Sequence, residues 1–218
     1  MILVLENEVD PAYRYFGEAL VSHLPDEEVT VYDYPARGGT PSLDGVEAVI
    51  IGGSTAGVYE ADDHPWMDAE KGFIRELVAK NMPTLGICFG HQIINEALGG
   101  RVEHRSTHKE LERIDLADDP LFESVNDVIP AVHGDYVVEP GEGMATLASA
   151  DYYEHFGTRH RDAPVWTVQF HPEFTEELLS PIRRDFGWDD NERSFAAVNA
   201  VKMLGNFLAL ATSRQLRN

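Results

Sequence analysis

The chain has 218 residues, of which 43% are apolar, enough to bury the core of one α/β domain. Asp and Glu number 38 against 17 Lys and Arg, a formal net charge of −21 that repels nucleic acid and anionic membranes. The acids are dispersed and only Lys71, Lys80, Lys109 and Lys202 are lysines, a halophilic-type surface that reports the solvent rather than the substrate.

Ile2 to Leu5 is a short apolar run of buried-strand type; no basic segment precedes it and Glu6 ends it, so no signal peptide is indicated. Pro11 to Leu24 reads as a helix with Tyr15, Leu20 and Leu24 among its apolar positions, and Val29 to Tyr34 as a second strand. Val46 to Ile51 is a third strand that runs into Gly52-Gly53. Asp63-His64-Pro65 then opens a helix on which Trp66, Ala69, Phe73 and Leu77 recur at helical spacing. Thr84 to Ile87 is the fourth strand, and Phe89 to Leu98 the following helix, stopped by Gly99-Gly100.

Such alternation predicts parallel strands joined by helical crossovers. Beyond Arg101 the pattern shortens: Leu111 to Leu116, Asp127 to His133 and Val165 to Phe170 suggest an additional, partly antiparallel sheet. Asn191 to Arg214 reads as a closing helix with Phe195, Val198, Val201, Leu204, Leu208 and Ala211 in one stripe. Nowhere do about 18 apolar residues run together, so no membrane span is expected. The expectation is a single α/β domain over 1–218, an open, mostly parallel, flavodoxin-like sheet with helices on both faces plus the small second sheet.

The only cysteine, Cys88, excludes an internal disulfide and fits a reducing cytoplasm. It stands in Gly86-Ile87-Cys88-Phe89-Gly90 between a strand and a helix, the cysteine counterpart of a nucleophile elbow. There a thiolate is favoured by the positive end of the helix dipole, and the Phe89 amide, in the unpaired first turn, is free to donate to an oxyanion. A free cysteine is most often only a small buried hydrophobe, so a partner base is required. His171 and Glu173, two residues apart after a strand, point the same way and supply a base and a carboxylate to orient it. His91, on the helix behind the elbow, and His133 are less well placed. His104 and His108, with Glu103 nearby, have the spacing of a metal pair, but solvated surface is the preferred reading there.

Together these residues resemble the class I (triad) glutamine amidotransferase family. "IIGGSTAGVYE" is similar to its oxyanion loop, "LGICFGHQIINEALGG" to its nucleophile elbow and "TVQFHPEF" to its His-x-Glu segment, in the family's order. "VHGDYV" looks most like the glutaminase half of GMP synthase and its stand-alone relatives. Two departures stand out: Ser54 replaces the proline common after Gly-Gly, and the segment following Glu173 is longer than the expected short helical finish.

The resemblance implies that Cys88 is the nucleophile, His171 the acid and base, and Glu173 the third triad member. It further implies that the Gly53 and Phe89 amides form the oxyanion hole, that Gln92 holds L-glutamine, and that Gly134 and Asp135 contact its amino-acid end. No metal or organic cofactor is expected for the glutaminase half. ATP and Mg²⁺ belong to a separate synthetase, since no G-x-x-x-x-G-K-[ST] phosphate loop occurs. The rival readings are a cysteine hydrolase of γ-glutamyl compounds or peptides, and a non-catalytic binding or regulatory module of the same fold.

Overall fold

The computed structural model of the chain describes residues 1–24 and 28–215. Its first half alternates as the apolar runs predict: β1 (Ile2–Glu6), α1 (Tyr15–Ser22), β2 (Val29–Asp33), the one-turn α2 (Tyr34–Arg37), β3 (Ala48–Ile51), α3 (Trp66–Ala79), β4 (Thr84–Ile87) and α4 (Phe89–Ala97). The second half holds β5 (Arg101–Arg113), β6 (Asp115–Leu116), β7 (Val128–Glu139), β8 (Met144–Ala150), β9 (Tyr153–His160), β10 (Val165–Val168), α5 (Leu179–Asp185) and α6 (Lys202–Gln215).

Eight strands form one sheet in the order β2-β1-β3-β4-β10-β9-β8-β6, parallel from β2 through β10 and antiparallel thereafter; β5 and β7 form a separate antiparallel ribbon. Because the central strands are covered on both faces, they are buried almost throughout and mostly apolar, with Thr84 and Thr167 the polar residues buried in β4 and β10. Ile2 and Val4 of β1 face α1 and α6, packing with Leu20, Met203, Leu204 and Phe207. Leu3 and Leu5 face the other way, toward α3 and α4, where Phe73, Leu77, Ile93 and Ile94 lie. The carboxyl ends of β3, β4 and β10 come side by side, the edge at which open α/β sheets place ligands.

The structure departs from the sequence expectations in five places. Val165 to Phe170, expected in the additional sheet, instead supplies β10 of the main sheet, where its buried run pairs parallel with β4. The helix expected over Pro11 to Leu24 is split into a 3-10 turn, Pro11–Tyr13, whose Ala12 amide is capped by the Asp10 carboxylate, and α1. The split lets the Tyr13 and Phe16 rings both meet Phe186, with centroids 4.8 and 6.1 Å away. The closing helix is likewise broken. Ser194 caps a 3-10 turn at Phe195–Ala197, Val198 is extended, and Asn199 is drawn off to bond Asn126 N and Ser124 O. Residues 195–213 are apolar and long enough by composition to cross a membrane, yet Met203, Leu204, Phe207 and Ala211 are buried against the sheet.

β5 is far longer than the strand expected at Leu111, and it carries His104 and His108, whose spacing is therefore that of a strand and not of a helix. Its polar, half-exposed sequence hides the pairing, which β7 imposes by backbone hydrogen bonds from Arg101 to Arg113. Finally, β8 and β9, "MATLASA" and "YEHFGTRH", had no apolar run to announce them.

Candidate active site

Cys88 is the residue between β4 and α4, with φ +53° and ψ −106°, a left-handed conformation that a non-glycine residue adopts only under constraint. The flanking glycines make the turn possible. A Cβ on Gly86 would lie 2.6 Å from the Gly90 carbonyl oxygen, and one on Gly90 would land on the carbonyl oxygen of Ile51. The Cys88 amide donates to Val168 O at 2.9 Å and the Gly90 amide to Gly52 O at 3.1 Å. The elbow is thereby tied to β10 on one side and to the loop after β3 on the other.

β10 ends at Val168 and the chain then delivers Gln169, His171 and Glu173 to the same edge. His171 and Glu173 are 3% and 2% exposed, and His171 Nδ1 bonds Glu173 Oε1 at 2.7 Å. With Nδ1 so occupied, Nε2 is the nitrogen left for the thiol. Burial by itself would push the imidazole pKa down, but the adjoining Cys88 sulfur and the Glu173 carboxylate together hold it well above its usual value. The Phe16 ring, 4.7 Å from the imidazole, closes its remaining side.

Gly53 lies over both groups: a Cβ there would be 3.3 Å from His171 Cε1 and 3.8 Å from Cys88 Cβ. Its amide and that of Phe89, the first residue of α4, donate to no other group among the described residues. Two free N–H groups beside a thiol can receive an oxyanion. Gln92, 4% exposed, donates from Nε2 to Gln169 Oε1 at 3.2 Å. Gln92, Gly134 and Asp135 line one side of a cavity of about 530 Å³ that reaches Cys88. Asp135 Oδ1 there accepts from Tyr59 Oη at 3.1 Å and bonds His104 Nδ1 at 2.8 Å. A second, smaller cavity that also reaches Cys88 touches His171, Glu173, Gly53 and Glu8.

The competing histidines have structural surroundings. His91 is fully buried between Thr167 Oγ1 (2.7 Å) and Tyr153 Oη (3.0 Å), and burial pulls its pKa down to about 3. His133, bonded to Tyr152 Oη at 3.2 Å, is likewise pushed down by burial to about 3. Glu103 is taken by Arg101 and Arg105 rather than by His104. His108 instead stacks on Tyr152 and bonds Glu112; it, Glu110 and Glu112 each bring a possible metal-ligand atom within 4.8 Å of the others.

Sequence reasoning missed Gln169, whose Nε2 lies 3.5 Å from Cys88 Sγ, and Glu8, whose carboxylate grips the loop after Gly53. The only signal for Gln169 was its position two residues before His171. Phe186, in the long segment after Glu173, lines both cavities.

Comparison with known proteins bears on this geometry. Residues 13–186 match the family model described as "Glutamine amidotransferase class-I". The chain is 34% identical over 136 residues to "GMP synthase [glutamine-hydrolyzing]" of Gibberella zeae, a match covering 58% of this chain and 24% of that protein. With the glutamine-hydrolyzing GMP synthase subunit of Sulfolobus acidocaldarius it shares 30% identity over 165 residues, 73% of this chain and 79% of the relative. The chain thus spans about a quarter of some curated relatives and most of the subunit form. In fold it is similar to a glutamine amidotransferase of Thermotoga maritima, with TM-score 0.73 and 17% identity over 96% of both chains.

Proposed function

The chain belongs to the class-I glutamine amidotransferase family, and from that premise we propose that it hydrolyses L-glutamine on Cys88 and supplies the ammonia to a separate ATP-dependent synthetase, GMP synthase being favoured by the relatives' names. The observation that carries the reading is the strained Cys88 elbow beside a buried His171–Glu173 pair, under two undonated amides. A backbone strain of roughly 1–3 kcal/mol is retained only where the surroundings enforce it.

In the proposed reaction the Cys88 sulfur attacks the carboxamide carbon of glutamine, and the negative charge that builds on its oxygen is received by the Gly53 and Phe89 amides. When the tetrahedral adduct collapses the C–N bond breaks. His171, its proton held by the raised basicity described above, protonates the departing nitrogen, which leaves as ammonia. A γ-glutamyl thioester remains. His171 then takes a proton from water as the water oxygen adds to the thioester carbonyl, the C–S bond breaks, and glutamate departs. Glu173 keeps the imidazole in one tautomer throughout. Gln92, Gly134 and Asp135 would receive the amino-acid end in the larger cavity. This half-reaction needs no metal or cofactor; ATP and Mg²⁺ act on the partner.

The test is ammonia release from L-glutamine by wild type and Cys88→Ala, with covalent labelling of Cys88 by a glutamine-analogue chloroketone as a readout that does not depend on turnover. Labelling and Cys88-dependent release are expected. A wild-type protein that neither releases ammonia nor takes the label refutes the reading, and cleavage of γ-glutamyl peptides with no action on glutamine would replace it by the hydrolase alternative.

A further inference from the structure

The loop that follows β3, Gly52 to Gly57, has no regular structure and carries Ser54 where the resemblance leads one to expect proline. Its order must come from elsewhere. Gly52 N bonds Leu5 O at 3.0 Å, Ala56 N bonds Ser54 Oγ at 3.1 Å, and Gly57 N bonds Glu60 Oε2 at 2.8 Å. None of these holds the stretch just beyond Gly53 to the sheet. Glu8 does so: Oε2 accepts from Thr55 N at 2.9 Å and Oε1 from Thr55 Oγ1 at 2.6 Å, across 47 residues of chain. Oε1 also accepts from Asp10 N at 2.9 Å, and Glu8 N donates to Glu6 Oε1 at 2.9 Å, which fixes the carboxylate at the end of β1.

Glu8 is 6% exposed and forms no ion pair among the described residues. A buried carboxylate without a counter-ion costs several kcal/mol unless donors meet it. Burial raises its pKa and the Thr55 and Asp10 donors oppose the rise. An apolar residue would hold the fold more cheaply, but would leave Thr55 unanchored. Glu8 also lines the small cavity with Cys88, Gly53 and His171.

Resting on the reading of Cys88 as nucleophile and Gly53 as oxyanion donor, we infer that Glu8 is a positioning residue: its two-oxygen grip on Thr55 takes over the role of the missing proline and fixes the Gly53 amide over Cys88. Glu8 itself touches no reacting atom. The grip serves the step in which charge develops on the substrate oxygen, and leaves the bare reactivity of the thiol untouched.

Two electrophiles separate these roles. The glutamine-analogue chloroketone has a carbonyl that needs the oxyanion hole, whereas iodoacetamide needs only the sulfur and His171. In the full-length protein, Glu8→Ala should slow chloroketone labelling of Cys88 by about 10²-fold, the scale of one lost oxyanion donor. Iodoacetamide labelling should stay within about threefold of wild type. Glu8→Gln, whose carbonyl can still accept from Thr55 N while its NH2 donates to Thr55 Oγ1 and gives up the bond from Asp10 N, should recover part of the loss.

Equal slowing toward both reagents would overturn the inference, because it would mean that Glu8 supports the whole site as structure. No slowing toward either, or a Gln variant as poor as Ala, would overturn it too. If Glu8→Ala fails to fold, Thr55→Val, which removes only the hydroxyl donor, must show the same selective loss at smaller size. Wild-type labelling by the chloroketone tests the underlying reading separately.

Discussion

Replacing Glu70 by glutamine should make the protein harder to unfold at alkaline pH and leave it nearly unchanged in acid. Glu70 sits on α3 with no exposed surface; Asn7 Nδ2 donates to its Oε1 at 2.9 Å, and Oε2 has no partner among the described residues. Burial pushes its pKa from the ordinary 4.5 up to about 8, against which the Asn7 hydrogen bond and Lys71 pull only weakly. Between those two values the folded chain keeps a proton that the unfolded chain has released. Stability therefore falls as pH rises through this window, by about 1.4 kcal/mol per pH unit and roughly 5 kcal/mol in all. Glutamine has the same shape, can still accept from Asn7 and does not titrate. Urea unfolding at constant salt from pH 4.5 to 8.5 should give a variant-minus-wild-type difference that grows with pH toward that figure. A difference that is the same at both ends would refute the reasoning.

Acid should destabilise the protein for the opposite reason. His91 and His133, both pushed down to about 3, bind protons only on unfolding, so stability should fall as pH drops from about 6.5 toward 3, with an uptake of up to two protons measurable by the pH slope of the unfolding free energy. Glu173→Gln should lower kcat for ammonia release by about 10²-fold or more with little change in KM, since it loosens the tautomer of His171 without touching substrate. Gly53→Ala places a methyl 3.3 Å from His171 Cε1 and should cut kcat while thermal unfolding shifts little. Gly90→Ala drives a methyl into Ile51 O; it should lower the midpoint of thermal unfolding sharply, and a fully stable variant would contradict the packing described.

What the sequence disclosed, and what it hid, follows from how local each cause is. β4, α4 and the elbow were legible because apolar runs and paired glycines act over a few residues. His171 and Glu173 were legible from their spacing, but the reason differs from the expected extended segment: a turn closed by Phe174 N on His171 O at 3.1 Å brings the carboxylate to the imidazole. Gln169 and Glu8 were not: each acquires its place only when β10 meets β4, or β1 meets the loop after β3, and beyond the nearness of Gln169 to His171 no pattern in sequence marks either. β5 was concealed by its polar composition, since its order comes from the β7 ladder and not from an apolar face. The broken helices at Pro11 and Asn191 show tertiary demands overruling periodicity, as Tyr13 turns toward Phe186 and Asn199 toward Asn126.

β10 is the last strand in chain order, yet it lies in the interior of the eight-stranded sheet, between β4 and β9. During synthesis Cys88, the proposed nucleophile, therefore emerges some eighty residues ahead of His171, its proposed base, and the slot that will unite them stands open until residue 168 arrives. Closing it requires pairings distant in sequence, the slow kind. On the proposed mechanism a nascent or partly folded chain carries the thiol without its imidazole and would not complete the reaction, so onset of turnover would serve as a clock for the final insertion of the sheet.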